Sequence, residues 1–99
     1  MAEVQVVYWR DIPAHVKARE GRERAATPLP ARFQEAVDAA AMRAGLTDTD
    51  DYLGEWRSSA WESHPGTPQQ AADQRAAQIE EDYSAEKLRS LVDRGGRQP

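Results

Sequence analysis

Apolar residues change their spacing once along this 99-residue chain, near residue 30, and that change restricts the fold more than any other feature. Residues 12–19 alternate between apolar and polar, a period of two that is typical of a β-strand with one solvated face. From residue 33 the apolar residues recur at the three- and four-residue spacing of one helical face. We therefore predict an α+β domain, in which a small antiparallel sheet of two to three N-terminal strands is covered on one face by three to four helices.

The predicted strands lie within the first 27 residues. Residues 3–9 carry β-branched and aromatic side chains on both alternating faces, which favours a central strand. In the second strand, Pro13 stands near the entry, where no ladder N–H is required, and Gly21 supplies the hairpin turn that follows. Residues 22–27 form a short third strand. The polar face of the second strand carries Pro13, His15, Lys17 and Arg19.

Two helices are predicted between residues 30 and 60. The first begins near Pro30, which suits the first helical turn because no N–H is needed there. It ends at Gly45, followed by an apolar residue as in a Schellman motif. Thr47 opens the second helix, with an acidic residue three positions further on. Its buried face is predicted from the spacing of Leu53, Trp56 and Ala60.

The rest of the chain is predicted to contain a loop and two further helices of the same domain. Residues 63–68 are rich in Pro and Gly and form the loop. This loop separates a core region, residues 1–62, from a C-terminal helical segment, residues 69–99. Within that segment one helix covers residues 69–82, and Ser84 caps a last helix that two glycines terminate.

Composition excludes several kinds of protein. The chain contains no Cys, which excludes disulfides, thiolate metal sites and thiol nucleophiles. It shows no signal peptide and no apolar run long enough to cross a membrane, so we expect a cytoplasmic location without membrane contact. The net charge is -4, but residues 1–32 carry six basic and four acidic side chains. A net acidic chain with a mildly basic first third is a poor nucleic-acid binder, whereas that first third suits phosphate or an acidic protein.

No residue pattern predicts a catalytic, cofactor or metal site. Asp48, Asp50 and Asp51 lack the Gly and the distal Glu of a calcium loop, and acidic residues in a first helical turn are favoured by the helix dipole. His15 and His64 lie on a polar strand face and in the predicted loop, each without a positioned partner. Motifs for phosphate binding or a serine nucleophile are missing. We therefore expect no cofactor, no metal and a non-enzymatic role.

The segment Tyr8-Trp9-Arg10-Asp11 allows two interpretations. In the structural one, Trp9 covers the second face of the sheet and Arg10 pairs with Asp11 or with a helix carboxylate. In the functional one, Trp9 and Arg10 are contact residues, since both types are enriched in interface hot spots. The polar face of the second strand would then extend the same contact surface. The spacing leaves both interpretations open.

These residues carry a resemblance to a known family. The run YWRDIPA, the GR after the second strand, the segment LPARFQEAVDAAAMRAG and the helix DYLGEW together resemble the small bacterial domain family called virulence factor. The same domain is found within the larger conserved virulence factor C proteins. The resemblance covers about the first 57 residues and is loose beyond residue 62. It implies no established activity, cofactor or catalytic residue. Stand-alone members lie beside genes of one-carbon and corrinoid methyl-transfer metabolism, which implies an accessory role.

We therefore expect a non-enzymatic accessory or scaffold protein that binds another protein through the sheet end and the second strand. The alternative is a small-molecule or anion-binding module that contributes to an enzyme complex. A homodimer is a third option, because the core is small and a strand edge is exposed. The predicted interaction residues are Trp9, Arg10, Asp11, Pro13, His15 and Arg19.

Overall fold

A computed structural model describes residues 1–46 and 48–98 of the chain. Five strands and four helices follow one another in these two ranges. In chain order they are β1 Ala2–Trp9, β2 Ile12–Glu20, β3 Glu23–Pro28, α1 Ala31–Arg43, α2 Thr49–Leu53, β4 Trp56–Ser58, β5 Glu62–His64, α3 Pro68–Asp82 and α4 Ala85–Asp93. The predicted α+β class is confirmed.

The strands form one antiparallel sheet in the order β3-β2-β1, with β4 and β5 both pairing with the far side of β1. The strand β1 is therefore central, as its two partly apolar faces predict. The ladder between β1 and β2 contains one irregularity, where Ala14 is passed over between the pairs Val7–His15 and Tyr8–Pro13. Such a bulge leaves one residue unpaired and bends the strand.

The helix α3 covers one face of this sheet. It packs against β1, β2 and β3, and the Thr27 hydroxyl donates a 2.6 Å hydrogen bond to the Asp73 carboxylate on α3. Thr27 pairs with Val16, which pairs with Val6, so this row of side chains faces α3. Val6 and Val16 are buried in the single core cluster. The helix α1 packs against β2, and α4 packs against α1.

The predicted end of α1 and the predicted start of α4 are confirmed by their caps. After α1, the Gly45 N–H donates to the Met42 carbonyl and the Leu46 N–H to the Ala41 carbonyl, as in a Schellman motif. Before α4, the Ser84 hydroxyl accepts from the Lys87 N–H. The apolar face predicted for the first helix consists of Phe33, Ala36, Val37, Ala40, Ala41 and Ala44, and all of these except the half-buried Ala44 are buried.

The prediction for residues 47–60 is wrong beyond the first helical turn. The helix α2 has only five residues, and the chain then turns at Gly54 into the strand β4. Trp56, predicted on a helix face, is paired with Trp9 of β1. Leu53 is 55% exposed, and Ala60 is exposed outside any helix, so neither forms the predicted buried face. A three-residue strand is too short to show a period, so its pairing with β1 determines the conformation.

Residues 63–68 are not a loop throughout, because β5 ends at His64 and pairs with the first half of β1. The sheet therefore has five strands among the described residues rather than two to three. Thr47 lies outside the described residues, and the residue that caps α2 is Asp48, whose carboxylate accepts from the Asp50 N–H at 2.9 Å. No helix among the described residues is long and apolar enough to cross a membrane.

Candidate functional site

The structure separates the six predicted interaction residues into two groups. Trp9, Arg10, Asp11 and Pro13 lie at the turn between β1 and β2, whereas His15 and Arg19 lie further along β2. Trp9 and Pro13 are buried, so neither side chain offers a contact surface. The structural interpretation of Trp9 is therefore the one that this fold supports.

Trp9 is enclosed by residues of its own chain. Its ring stacks on Tyr52 of α2 with 5.7 Å between centroids, and its indole N–H donates to the Tyr52 carbonyl at 2.9 Å. On Gly96, after α4, a Cβ atom would lie 2.9 Å from the Trp9 Cζ3 atom and 3.5 Å from the Ala40 Cβ. Both polar and apolar parts of the indole are thus satisfied internally.

Arg10 joins the turn to two distant segments. Its guanidinium donates to the Gly95 carbonyl at 2.9 Å and to the Glu55 carboxylate at 3.3 Å. Its carbon Cζ lies 5.3 Å from the centroid of the Trp9 ring, a cation–π distance. The Arg10 side chain is only 12% exposed. It cannot serve as a free contact residue without giving up these bonds.

Asp11 completes this cluster. Its carboxylate accepts from the Arg57 guanidinium at 3.2 Å and from the Gln98 N–H at 2.7 Å, and its own N–H donates to the Gly96 carbonyl at 2.8 Å. We call Arg10, Asp11, Glu55, Arg57 and residues 95–98 the turn cluster. Arg10 and Asp11, the opposite charges that follow Tyr8 and Trp9, therefore have a structural role. Their hydrogen bonds connect the β1–β2 hairpin to the segment after α4.

On the sheet face opposite α3, the side chains of Glu3 and Gln5 in the first part of β1 are only half-buried. Residues that pair across β3, β2, β1 and the short strands share this face. They form three rows across the sheet: Pro28, His15, Val7 and Ser58; Ala26, Lys17 and Gln5; and Arg24, Arg19, Glu3 and Ser63. We call this surface the open face. It includes His15 and Arg19 of the predicted set.

A groove of about 510 Å³ runs along the open face. Its apolar lining consists of Trp61, between β4 and β5, and the small residues Ala18, Ala25 and Ala26. The polar groups at the rim are Gln5, Lys17 and Arg24. Such a mixture of apolar surface and a few polar groups is typical of a binding site.

The open face is basic although the whole chain carries a net charge of -4. Its ionised side chains are Lys17, Arg19 and Arg24 against the single carboxylate of Glu3. Arg19 is engaged, since it pairs with Glu3 at 3.1 Å and lies 3.9 Å over the Trp61 ring. Among the described residues, Lys17 is exposed and has no ion-pair or hydrogen-bond partner.

His15 adds a titratable group at the edge of this surface. It is half-buried, and burial lowers its pKa from the ordinary value of 6.5, with the nearby Lys17 charge lowering the pKa further. The imidazole is therefore neutral at pH 7. Within residues 1–46 and 48–98, no three His, Asp or Glu side chains converge on a position that could hold a metal ion.

Three residues that line the groove, Trp61, Gln5 and Arg24, were not among the predicted interaction residues. Gln5 lies on the same alternating face of β1 as Trp9. This face is buried at Trp9, near the turn, but only half-buried at Gln5, where it lines the groove. The alternation of the third strand places Arg24 and Ala26 on one face. This spacing could have predicted that both residues lie on the same side of the sheet. Trp61 offered none, because it lies between two three-residue strands.

Fold and surface together define a small α+β domain with a basic, aromatic-lined open sheet face. A family model described as virulence factor matches residues 7–92, and the chain belongs to this family. The match extends well past residue 57 and includes α3 and most of α4, so the C-terminal helices are part of the family domain. No curated protein and no solved structure matches this chain.

Proposed function

We propose that this chain is a non-enzymatic accessory protein of the cytoplasm that binds another protein across its open face. The observation that carries the proposal is the exposed Lys17, which has no ion-pair partner among the described residues and lies beside a groove on a basic sheet face of a net acidic domain. Charge complementarity then favours an acidic partner surface, because opposite charges steer association and disfavour wrong partners.

The proposed contact surface is centred on the open face and not on the turn between β1 and β2. Trp9 and Arg10 are held inside the molecule by Tyr52, Glu55 and Gly95. The contact residues that remain from the predicted set are His15 and Arg19, joined by the neighbours that the open face brings to them. The turn cluster supports the fold and does not itself contact the partner.

The test compares two charge reversals of equal size. Lys17→Glu changes the open face, and Arg89→Glu changes an exposed residue of α4. The tagged protein is used to isolate partners from its native host, and the co-purified proteins are identified. We expect Arg89→Glu to retain the partner and Lys17→Glu to lose it, with equal thermal midpoints for both variants. Equal retention by both variants would show that the open face is not the contact surface.

The same experiment tests the metabolic setting. The family resemblance suggests enzymes of one-carbon or corrinoid methyl transfer as partners, and these enzymes should then appear among the proteins that Lys17→Glu loses. Partners that both variants lose or retain together do not bind through the open face.

A second candidate function, binding of a small anionic molecule as part of an enzyme complex, is favoured by the size of the groove. Its volume of about 510 Å³ lies within the range of roughly 300–1,000 Å³ that ligand sites occupy. Thermal unfolding in the presence of folates, corrinoids and phosphorylated metabolites tests this candidate. A ligand that binds only the folded state must raise the midpoint, and Lys17→Glu should remove the rise.

A further inference from the structure

The strand β3 forms the edge of the sheet beside the groove. The hydrogen bonds of the inner strands indicate which N–H and C=O groups of β3 point toward β2 and which point away from the sheet. The Ser59 N–H donates to the Val6 carbonyl at 2.9 Å, so the backbone groups of Val6 point away from β2. Backbone direction alternates along a strand. Val7 and Gln5 therefore bond to β2, and their partners on β2 bond back to β1.

The alternation continues to the outer strand. On β2, Val16 and Ala18 point toward β3, where they pair with Thr27 and Ala25. The intervening residues Arg24 and Ala26 then direct their N–H and C=O groups outward, away from the sheet. No turn, loop or cap hydrogen bond uses these groups among the described residues. Pro28, the next outward residue, has no N–H to donate.

The outward residues of β3 are also the ones whose side chains lie on the open face. Arg24 and Ala26 line the groove with Lys17 and Trp61. A strand added along β3 would therefore place every second side chain on the open face, next to the positive charges of Lys17 and Arg24. The Arg24 guanidinium also donates to the Gly21 and Glu23 carbonyls, which carry no charge to neutralise it. The methyl group of Ala26 leaves space there for a larger neighbour.

We propose that the partner's contact segment is an extended acidic strand that adds to the β3 edge and turns its carboxylates toward Lys17 and Arg24. The proposal rests on the proposed function, and it specifies the chemistry of the partner. Main-chain hydrogen bonds to Arg24 and Ala26 supply the pairing, and the carboxylates supply the selectivity.

A second copy of this chain fits the edge less well. It would offer its own β3, whose open-face side chains are Arg24, Ala26 and Pro28. None of these is a carboxylate, so a second copy would bring another Arg24 to the edge instead of an acid, and like charges on neighbouring strands are unfavourable.

The test uses the full chain and a capped peptide of sequence VEVEVEV. Binding is measured by calorimetry, and the backbone amides of Arg24 and Ala26 are followed by nuclear magnetic resonance. We expect binding with shifts of these two amides and slower exchange of their protons. Lys17→Glu should weaken binding by about ten-fold or more. The peptide VKVKVKV should not bind.

Two further reagents separate strand pairing from simple charge attraction. A VEVEVEV peptide with alternate amides N-methylated keeps its charges but loses donors, and we expect it to bind about ten-fold more weakly or worse. Ala26→Pro removes one outward N–H while leaving the bonds between β2 and β3 in place, and it should have the same effect. Arg89→Glu is the matched control and should bind normally.

Several outcomes would overturn the inference. Equal binding of the N-methylated peptide would show docking on the face without strand addition. Absence of VEVEVEV binding, while Lys17→Glu still loses the native partner, would reject the strand and retain the proposed function. In the absence of peptide, amide exchange at Arg24 and Ala26 is measured at increasing protein concentration. If exchange slows as the concentration rises, a second copy of the chain occupies the β3 edge.

Discussion

The Arg10 guanidinium donates a 2.9 Å hydrogen bond to the Gly95 carbonyl oxygen, although 85 residues separate the two along the chain. The bond connects the tip of the first hairpin to the end of α4. Glu55 receives a second bond from the same guanidinium at 3.3 Å, and Arg97 pairs with the other oxygen of that carboxylate at 3.6 Å. The first and last parts of the described chain are thus joined through one side chain.

Replacing Arg10 with Met should therefore destabilise the domain. The change leaves the Gly95 carbonyl and the Glu55 carboxylate without this donor, and the expected loss is roughly 1.5–3 kcal/mol in the free energy of unfolding. Urea denaturation measures it. Arg89→Met on the exposed face of α4 is the control and should change stability by less than about 0.5 kcal/mol. Equal effects of the two changes would contradict a structural role for Arg10.

The backbone of Arg10 supports a separate prediction. Its φ is 52°, in the left-handed region that Gly adopts without steric strain. Arg10→Gly and Arg10→Ala both remove the guanidinium, but only Ala keeps the strain. We expect the Gly variant to be more stable than the Ala variant by about 1 kcal/mol, the reverse of their usual order within a strand. The comparison is made by urea denaturation of both variants under one set of conditions.

Gly96, in the turn cluster, should be more sensitive to substitution than Gly45, at the end of α1. Its φ is 91°, and a Cβ there would lie 2.9 Å from the Trp9 Cζ3 atom. Gly45 has a φ of 75° but no atom within 4 Å of such a Cβ. Gly45→Ala should therefore cost about 1–2 kcal/mol from backbone strain alone. Gly96→Ala should cost about 1–3 kcal/mol more, because it also overpacks the core. Similar melting temperatures for the two variants would show that Trp9 moves freely.

The lowered pKa of His15 should make the free energy of unfolding depend on pH. Burial and the Lys17 charge lower its pKa in the folded state below the unfolded value of 6.5. The unfolded chain then binds the proton more readily, so this contribution to stability is present above about pH 6.5 and is lost as the pH falls through the folded pKa. His15→Gln removes this contribution. Between about pH 7.5 and pH 5.5, the wild type should lose more free energy of unfolding than the variant; parallel curves would exclude the effect.

Sequence patterns predicted the elements whose stability is local. The face of α1 and its Schellman ending follow from residue spacing and from Gly45. Ser84 identifies the start of α4 for the same reason, because a cap acts within a few residues. The β1–β2 hairpin was predicted because alternation persists over enough residues to be recognised. Each signal lies within one continuous stretch of chain.

The short strands and the candidate site were decided by contacts that no local pattern records. The strand β4 exists because Trp56 pairs with Trp9, and β5 exists because its three residues pair with the first half of β1. Trp9 is typical of both interfaces and cores, and only the positions of Tyr52 and Gly96 place it in the core. The enrichment of Trp and Arg in interfaces therefore could not show whether Trp9 lies in the core or on a contact surface.

The sequence by itself therefore determined the α+β class, the long helices, the first hairpin and the family. Only the tertiary structure decided that Trp9 and Arg10 serve the fold and that the basic groove beside Lys17 and Trp61 is left open. The reason is physical: helix periods and caps act between neighbouring residues, whereas burial of a side chain depends on segments that pack against it from distant parts of the chain.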